Sequence, residues 1–149
     1  MRNYVVIALA IGVLGIVGCT SESSPDAAKS ALELAAEKAA VESADAWLEL
    51  VDGEKYADSW TEAAEYFKSV VDKDKWEQTI RAVRKPLGKT ISRKLKSQRH
   101  VTSLPGAPDG EYVVIQYETS FENKKSAIET ITPMLDKDNK WRVSGYYIK

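Results

Sequence analysis

Apolar residues recur at helical spacing through the first half of the chain. Between Ala27 and Val51 they form one stripe, and the glutamates and Lys38 fall outside it. Such a stripe is typical of a helix that packs one face on a core. Its members are Leu32, Ala36, Ala40, Ala44, Trp47, Leu48 and Val51. Gly53 is the predicted stop, because glycine tolerates the left-handed conformation in which helices often end.

Two further helices are predicted before residue 88. The segment from Ser59 to Glu62 matches a capping box and predicts the start of the second helix. Its predicted inner face is Trp60, Ala63, Ala64, Phe67 and Val71. The third helix is predicted to begin near Asp74 and to stop at Pro86, because proline lacks the N–H that continues a helix. Its predicted buried residues are Trp76, Ile80 and Val83.

From Gly88 onward the alternation of apolar and polar residues changes to period two, which is the spacing of strands. Short segments rich in turn-forming residues separate the extended runs. The four predicted strands are Thr90–Leu104, Glu111–Phe121, Ser126–Leu135 and Trp141–Ile148. Connections this short join antiparallel neighbours in a meander. Pro133 cannot donate to the ladder and predicts a bulge in the third strand.

These elements predict an α+β fold, with N-terminal helices packed on one face of a curved four-stranded antiparallel sheet. Residues 27–149 have the size of a single domain. The chain is 44% hydrophobic and 29% charged, which is normal for a globular protein.

The N-terminal segment is typical of an export signal. Arg2 is followed by an apolar run from Tyr4 to Val17, shorter than the roughly 20 residues that span a bilayer. The run closes on Ile16-Val17-Gly18-Cys19, which resembles the bacterial lipobox, and Cys19 is the only cysteine. We therefore expect residues 1–18 to be a lipoprotein signal peptide, Cys19 to be lipidated, and residues 19–26 to form a tether. The alternative is an unmodified thiol.

This interpretation predicts an exported protein that the N-terminal lipid holds on the membrane. An inner-membrane retention signal in enteric bacteria resembles an Asp directly after the lipidated cysteine, and this chain has Thr20 at that position. We therefore expect the periplasmic face of the outer membrane if the host is Gram-negative. The expected partners are an envelope protein, a cell-wall polymer or a small ligand, and an exported protein is not expected to bind nucleic acid.

Charge is segregated along the chain. Residues 33–77 hold thirteen acids and five bases, whereas residues 78–108 hold eight bases and no acid. The basic residues are Arg81, Arg84, Lys85, Lys89, Arg93, Lys94, Lys96 and Arg99. One hypothesis is a strip that binds an anionic partner. The favoured alternative is a solvated strand that pairs within the chain with the acidic helices.

Glu129 is the candidate for chemistry. If it points inward, a buried carboxylate needs a partner, and Arg84 or Arg93 is expected to supply it. The predicted inner faces are Val113, Ile115, Tyr117 and Phe121 on the second strand, and Trp141, Val143 and Tyr147 on the fourth. The catalytic hypothesis makes Glu129 a general base in a pocket lined by Tyr117, Trp141 and Tyr147. The alternative is a structural ion pair.

Other chemistry lacks a supporting pattern. His100 is the only histidine, and its strand shows no neighbouring carboxylate, so we expect it to face solvent. No spacing predicts a metal site, a cofactor site or a catalytic triad. The aromatic residues Trp47, Trp60, Trp76, Trp141, Tyr56, Tyr66 and Phe67 are predicted to pack in the core, with an aromatic ligand cage as the alternative.

Several segments also resemble domain of unknown function 4019. They are AWLELVDGEKYADSW (46–60), WEQTIRAVRKPLG (76–88), LPGAPDGEY (104–112) and WRVSGYYI (141–148), with Arg93 and Glu129-Thr130. The resemblance implies a cystatin-like or nuclear-transport-factor-2-like fold, in which a bent antiparallel sheet wraps a long helix. It implies no activity. Because the sequence lacks any catalytic spacing, we expect a non-catalytic envelope binding or interaction module, with a small enzyme using Glu129 as acid or base as the alternative.

Overall fold

The structure, a computed structural model, describes residues 29–149. Four helices precede four strands in this part of the chain. The helices are α1 (Ala31–Asp52), α2 (Tyr56–Thr61), α3 (Glu65–Val70) and α4 (Lys73–Leu87). The strands are β1 (Thr90–Val101), β2 (Tyr112–Phe121), β3 (Ala127–Leu135) and β4 (Trp141–Ile148). The predicted signal peptide, Cys19 and the tether lie outside the described residues.

Helix α1 begins with a capping box that the apolar pattern did not reveal. The Ser30 side chain accepts from the Glu33 N–H, and the Glu33 carboxylate accepts from the Ser30 N–H. The prediction for Gly53 is wrong in its conformation, because Gly53 has φ −81° and Glu54 takes the left-handed φ of 58°. The N–H of Lys55 then donates to the Leu50 carbonyl at 2.8 Å and closes the helix end.

The predicted second helix is two short helices, and its predicted start is wrong. Ser59 lies buried inside α2, where its hydroxyl donates to the Tyr56 carbonyl at 2.8 Å. The chain becomes extended at Ala64, whose N–H donates to the Val143 carbonyl of β4 at 2.9 Å. That contact with the sheet separates α2 from α3. The predicted inner face is confirmed, with Trp60 and Val71 only partly buried.

Helix α4 buries Trp76 and Ile80 as predicted. The prediction for Val83 is wrong, since this residue is exposed and Arg84 takes the buried position. Pro86 lies inside the last turn, and the helix ends one residue later at Leu87. Gly88 follows with φ 73°. An ideal Cβ there would lie 2.6 Å from Glu122 Oε2 and 2.9 Å from Glu122 Cβ, so both conformation and space favour glycine.

The four strands form one antiparallel sheet in the order β1-β2-β3-β4, which confirms the α+β fold and the meander. The predicted first strand is too long, because it ends at Val101 rather than Leu104. A register shift between Thr132 and Pro133 confirms an irregularity at Pro133, but the prediction that the third strand carries the bulge is wrong. On β4 the extra residue is Ser144, because Thr132 pairs with Gly145 and Pro133 with Val143.

Helix α1 lies across the sheet and contacts all four strands. Its buried residues are Ala40, Ala44, Trp47, Leu48 and Val51, together with Glu37. The predicted stripe is wrong at its beginning, because Leu32 is 83% exposed and Glu37, which was predicted to lie outside the stripe, is buried. No helix within residues 29–149 is both long and apolar enough to cross a membrane.

Candidate functional site

Glu129 lies on β3 with its side chain facing the helices. Its neighbours on the same face, Ala127 and Ile131, are buried as well, and Glu129 itself is 0% exposed. The period-two pattern of the strand therefore brings one carboxylate into an otherwise apolar layer. Such a group is costly unless hydrogen bonds and opposite charges replace the lost water.

Five donors surround the Glu129 carboxylate. Oε2 accepts from Arg93 Nε at 2.7 Å and from Thr119 Oγ1 at 2.6 Å. Oε1 accepts from Arg93 Nη2 at 3.2 Å, from Arg84 Nη1 at 3.3 Å and from the Tyr146 hydroxyl. These donors come from α4 and three different strands, so the carboxylate joins the helical layer to the sheet.

Asp52, the last residue of α1, is the second acid of this arrangement. It accepts from Arg84 Nη2 at 2.7 Å, from Arg93 Nη1 at 2.8 Å and from Thr90 Oγ1 at 2.9 Å. The two arginines thus lie between two carboxylates, and the formal charges cancel. We call Asp52, Arg84, Thr90, Arg93, Thr119, Glu129 and Tyr146 the central network.

The surroundings of the central network shift several pKa values. Burial opposes the charge of Arg93, but its hydrogen bonds to Asp52 and Glu129 raise its pKa overall. Burial likewise opposes the charge of Asp52, and the hydrogen bonds and charges of Arg93 and Arg84 still hold its pKa below the usual range. Burial and the negative charge of Glu129 raise the pKa of Tyr146, so its hydroxyl stays protonated and can donate.

This geometry favours an ion-pair network over a catalytic base. A carboxylate offers about four lone-pair positions, and five donors already surround Glu129. A general base must instead reach the proton that it abstracts. Arg84 is only 5% exposed and its guanidinium carbon lies 4.8 Å from the centre of the Phe121 ring, so apolar packing also holds the network in place.

Of the three residues predicted to line a pocket around Glu129, only Tyr117 lies beside it, as its cross-strand partner on β2. Tyr117 donates its hydroxyl to Asp45 of α1 rather than to Glu129, and Trp141 lies at the start of β4 near Ser43. The prediction that Tyr147 faces inward is wrong, because it is 62% exposed. The Ser144 bulge shifts the alternation of β4 by one residue, and Tyr146, paired with buried Ile131, faces inward instead.

A groove of about 440 Å³ lies beside the central network. The end of α1 forms one wall, the end of α4 forms another, and Glu122 at the end of β2 completes it. Asp52 and Arg84 contribute to its lining, whereas Glu129 does not. A molecule in the groove would therefore meet the outer side of the network, not its buried carboxylate.

A second buried carboxylate, Glu37 on α1, lies against the other half of β1. It accepts from Lys29 Nζ at 2.7 and 2.9 Å, from Gln98 Nε2 at 3.2 Å and from the His100 N–H at 3.1 Å. We call Lys29, Glu37, Gln98, His100 and Glu111 the end cluster. The sequence prediction missed it because a glutamate in a helix normally marks the solvent face.

The expectation that His100 faces solvent without a carboxylate neighbour is wrong. Its side chain is 14% exposed, and Nε2 bonds Glu111 Oε2 from the start of the next strand. The two residues are eleven apart in sequence but come together across the β1–β2 connection. A predicted hairpin shows that two such residues come together only when the register of its strands is known.

The predicted aromatic core is mostly confirmed. Trp47, Trp76, Tyr56 and Phe67 are buried, and the rings of Trp47 and Trp76 lie 5.8 Å apart. Trp60 and Trp141 are partly buried against this core. Tyr66 is the exception, since its hydroxyl donates to the Gly106 carbonyl at 3.0 Å in the loop after β1.

Six of the eight residues of the predicted basic strip fall into two groups. Arg84 and Arg93 pair with Asp52 of α1, as the favoured alternative predicted, and Lys96 pairs with Glu118 of β2. Arg81, Lys85 and Lys89 line the groove instead.

Comparison with known proteins identifies the family but no relative of known activity. The model of a protein family of unknown function, DUF4019, matches residues 43–146. Neither the curated proteins nor the solved structures contain a match. The matched region includes all members of the central network and most of the sheet. The chain therefore belongs to the DUF4019 family.

Proposed function

We propose that this protein is an exported lipoprotein whose domain acts as a non-catalytic binding module at the cell envelope. The support for export and lipidation is the sequence around Cys19, where an apolar run ends in a lipobox-like motif and the chain has no other cysteine. A polar segment containing Pro25 follows, and it would keep the domain close to the bilayer.

One observation carries the non-catalytic part of the proposal. Glu129 is the acid best buried in the sheet, and its two oxygens are occupied by donors from Arg84, Arg93, Thr119 and Tyr146. The nearby groove does not include Glu129. The acid therefore supports the fold beside a groove, which favours binding over acid–base catalysis.

The fold supports a finer grouping, which we also propose. A long helix lies across an antiparallel meander whose strands are interrupted by bulges. This arrangement agrees with the cystatin-like and nuclear-transport-factor-2-like group. Those folds host unrelated functions, so the grouping adds no activity to the proposal.

Acyl labelling in a bacterial host tests the anchor. Wild type, Cys19→Ser and the tether control Ser24→Ala are expressed with an alkyne-tagged fatty acid. We expect label and membrane fractionation for wild type and Ser24→Ala, and neither for Cys19→Ser. Label that persists on Cys19→Ser, or that never appears on wild type, would contradict lipidation at this residue.

Crosslinking in intact cells tests the binding role. The lipidated wild type is expected to capture an envelope component that a variant released into the periplasm captures less well. Unchanged capture after loss of the anchor would show that proximity to the membrane does not direct binding.

A further inference from the structure

The groove beside the central network carries an unbalanced set of charges. Its lining has four basic and three acidic side chains, which are Arg81, Arg84, Lys85 and Lys89 with Asp52, Glu54 and Glu122. Asp52 is already bonded to Arg84 at 2.7 Å. Arg81, Lys85 and Lys89 are exposed and form no ion pair with any residue of the described chain.

Three cations line the groove, two of them on α4 and the third just after it. Arg81 and Lys85 are four residues apart on α4 and therefore share a face, where like charges destabilise a helix. The Arg81 guanidinium carbon lies 5.7 Å from the centre of the Tyr56 ring, a contact that favours one position for the cation. Lys89 follows directly after the Gly88 turn. An anion bound here would relieve the repulsion.

Two exposed acids also line the groove. Glu54 has the left-handed φ of 58° just after α1, and Glu122 Oε2 accepts from the Lys89 N–H at 2.8 Å. These carboxylates match hydroxyl or ammonium groups rather than a second anion. The complementary ligand thus combines a phosphate with a hydroxyl or ammonium group.

We infer that this groove binds a phosphate ester, with Arg81, Lys85 and Lys89 holding the phosphate and Glu54 and Glu122 holding the alcohol portion. The inference rests on the proposed binding role and names its site and ligand class. Such a phosphate ester comes either from a lipid headgroup or from a soluble molecule. Lysine and arginine both suit phosphate, and arginine adds a planar pair of donors.

The test uses the full chain carrying Cys19→Ser, so that no acyl group contributes to binding. Glycerol 1-phosphate is titrated while backbone amide signals are followed by NMR. The groove variant is Arg81→Gln with Lys85→Gln. The matched control is Lys94→Gln with Lys96→Gln, which removes the same charge from exposed positions of β1. Melting temperatures check that both variants fold.

We expect saturable shifts at residues 81–89 for the parent chain, at least tenfold weaker binding for the groove variant, and unchanged binding for the control. Equal weakening in both variants would overturn the site, because general charge would then explain binding. Absence of saturation up to about 10 mM would overturn it as well. Neither result bears on acylation of Cys19, which is measured separately.

Vesicles distinguish the two sources of the phosphate ester. Phosphatidylglycerol vesicles are tested by sedimentation with the same three proteins. Binding to the phosphatidylglycerol vesicles that falls only in the groove variant identifies a lipid headgroup. Binding of glycerol 1-phosphate without such vesicle binding identifies a soluble ester, and both results support the groove.

Discussion

The two buried carboxylates, Glu129 and Glu37, are both compensated by hydrogen bonds and opposite charge, but their partners differ. Both are 0% exposed. Glu129 is bound by two arginines and two hydroxyls from α4 and the sheet. Glu37 is bound by one lysine, a glutamine side chain and a backbone N–H. Only the central network combines a second acid with two nearly buried cations.

The difference lies in how firmly each partner is held. Arg84 and Arg93 have side chains that are 5% and 15% exposed, whereas the Lys29 side chain is 45% exposed and precedes the first helical residue. Water screens a pair with one exposed partner, and the long side chain loses entropy when it pairs. We therefore expect the central network to dominate stability, and the end cluster to fix only the beginning of α1.

The largest effect is expected for Glu129→Gln. This change leaves Arg84 and Arg93 sharing one carboxylate, and removing one partner of a buried pair costs about 3–5 kcal/mol. Urea denaturation followed by tryptophan fluorescence measures it. The control Glu118→Gln breaks the exposed pair with Lys96 on the same sheet and should change the free energy of unfolding by less than about 1 kcal/mol. Equal losses of unfolding free energy for Glu129→Gln and Glu118→Gln would contradict the distinction between the buried network and an exposed pair.

Glu37→Gln should cost less, about 1–3 kcal/mol. The amide oxygen still accepts from the His100 N–H, and Lys29 regains water. The matched control is Glu42→Gln, an exposed position of the same helix. Hydrogen exchange should show faster opening of the first turns of α1, with the centre of the sheet unaffected. Global destabilisation as large as that of Glu129→Gln would contradict the ranking.

Gly88→Ala probes the turn that places Arg84 and Arg93 on adjoining elements. Alanine at φ 73° is strained, and its Cβ would lie 2.6 Å from Glu122 Oε2. The expected cost is about 1–2 kcal/mol. Gly106→Ala is the control, because φ is 80° there and no atom lies within 4 Å. The excess cost of Gly88→Ala over Gly106→Ala measures the contact with Glu122, and no excess would contradict it.

The smallest expected effect is the acid dependence carried by Asp52. Its pKa in the folded chain is held below the usual value by Arg93 and Arg84 against the effect of burial. The ionised form therefore adds stability above the unfolded pKa of about 4, and this stability is lost as the pH falls through the folded pKa. Asp52→Asn should flatten the fall in unfolding free energy below about pH 4. An unchanged slope would contradict the coupling.

The regular parts of the fold follow from sequence periodicity. The strand Trp141–Ile148 has the predicted bounds, and the core of α1 from Ala40 to Val51 matches the apolar stripe. These segments are predictable because local pattern and tertiary burial agree. The break between α2 and α3 was not predictable from local pattern. It depends on the hydrogen bond from the Ala64 N–H to β4, which is a contact distant in sequence.

The candidate site was predictable only in part. The need for an arginine partner followed from the charge of Glu129, and both proposed arginines bind it. Tyr146 was missed because one extra residue at Ser144 reverses the alternation of β4, whereas Pro133 had indicated a bulge in the third strand. Asp52 was missed because a helix end looks solvent-exposed until its neighbours are known.

The most direct test of the central claim is the coupling free energy between Arg84 and Glu129. Arg84→Met, Glu129→Gln and the double variant are compared with wild type by urea denaturation. Each single change removes one of the partners of a buried charged group, so the double variant should lose less than the sum, with a coupling of at least about 2 kcal/mol. The corresponding cycle at Lys29 and Glu37 should give less than about 1 kcal/mol. Additive losses at Arg84 and Glu129, within about 0.5 kcal/mol, would contradict a central network that holds the fold together.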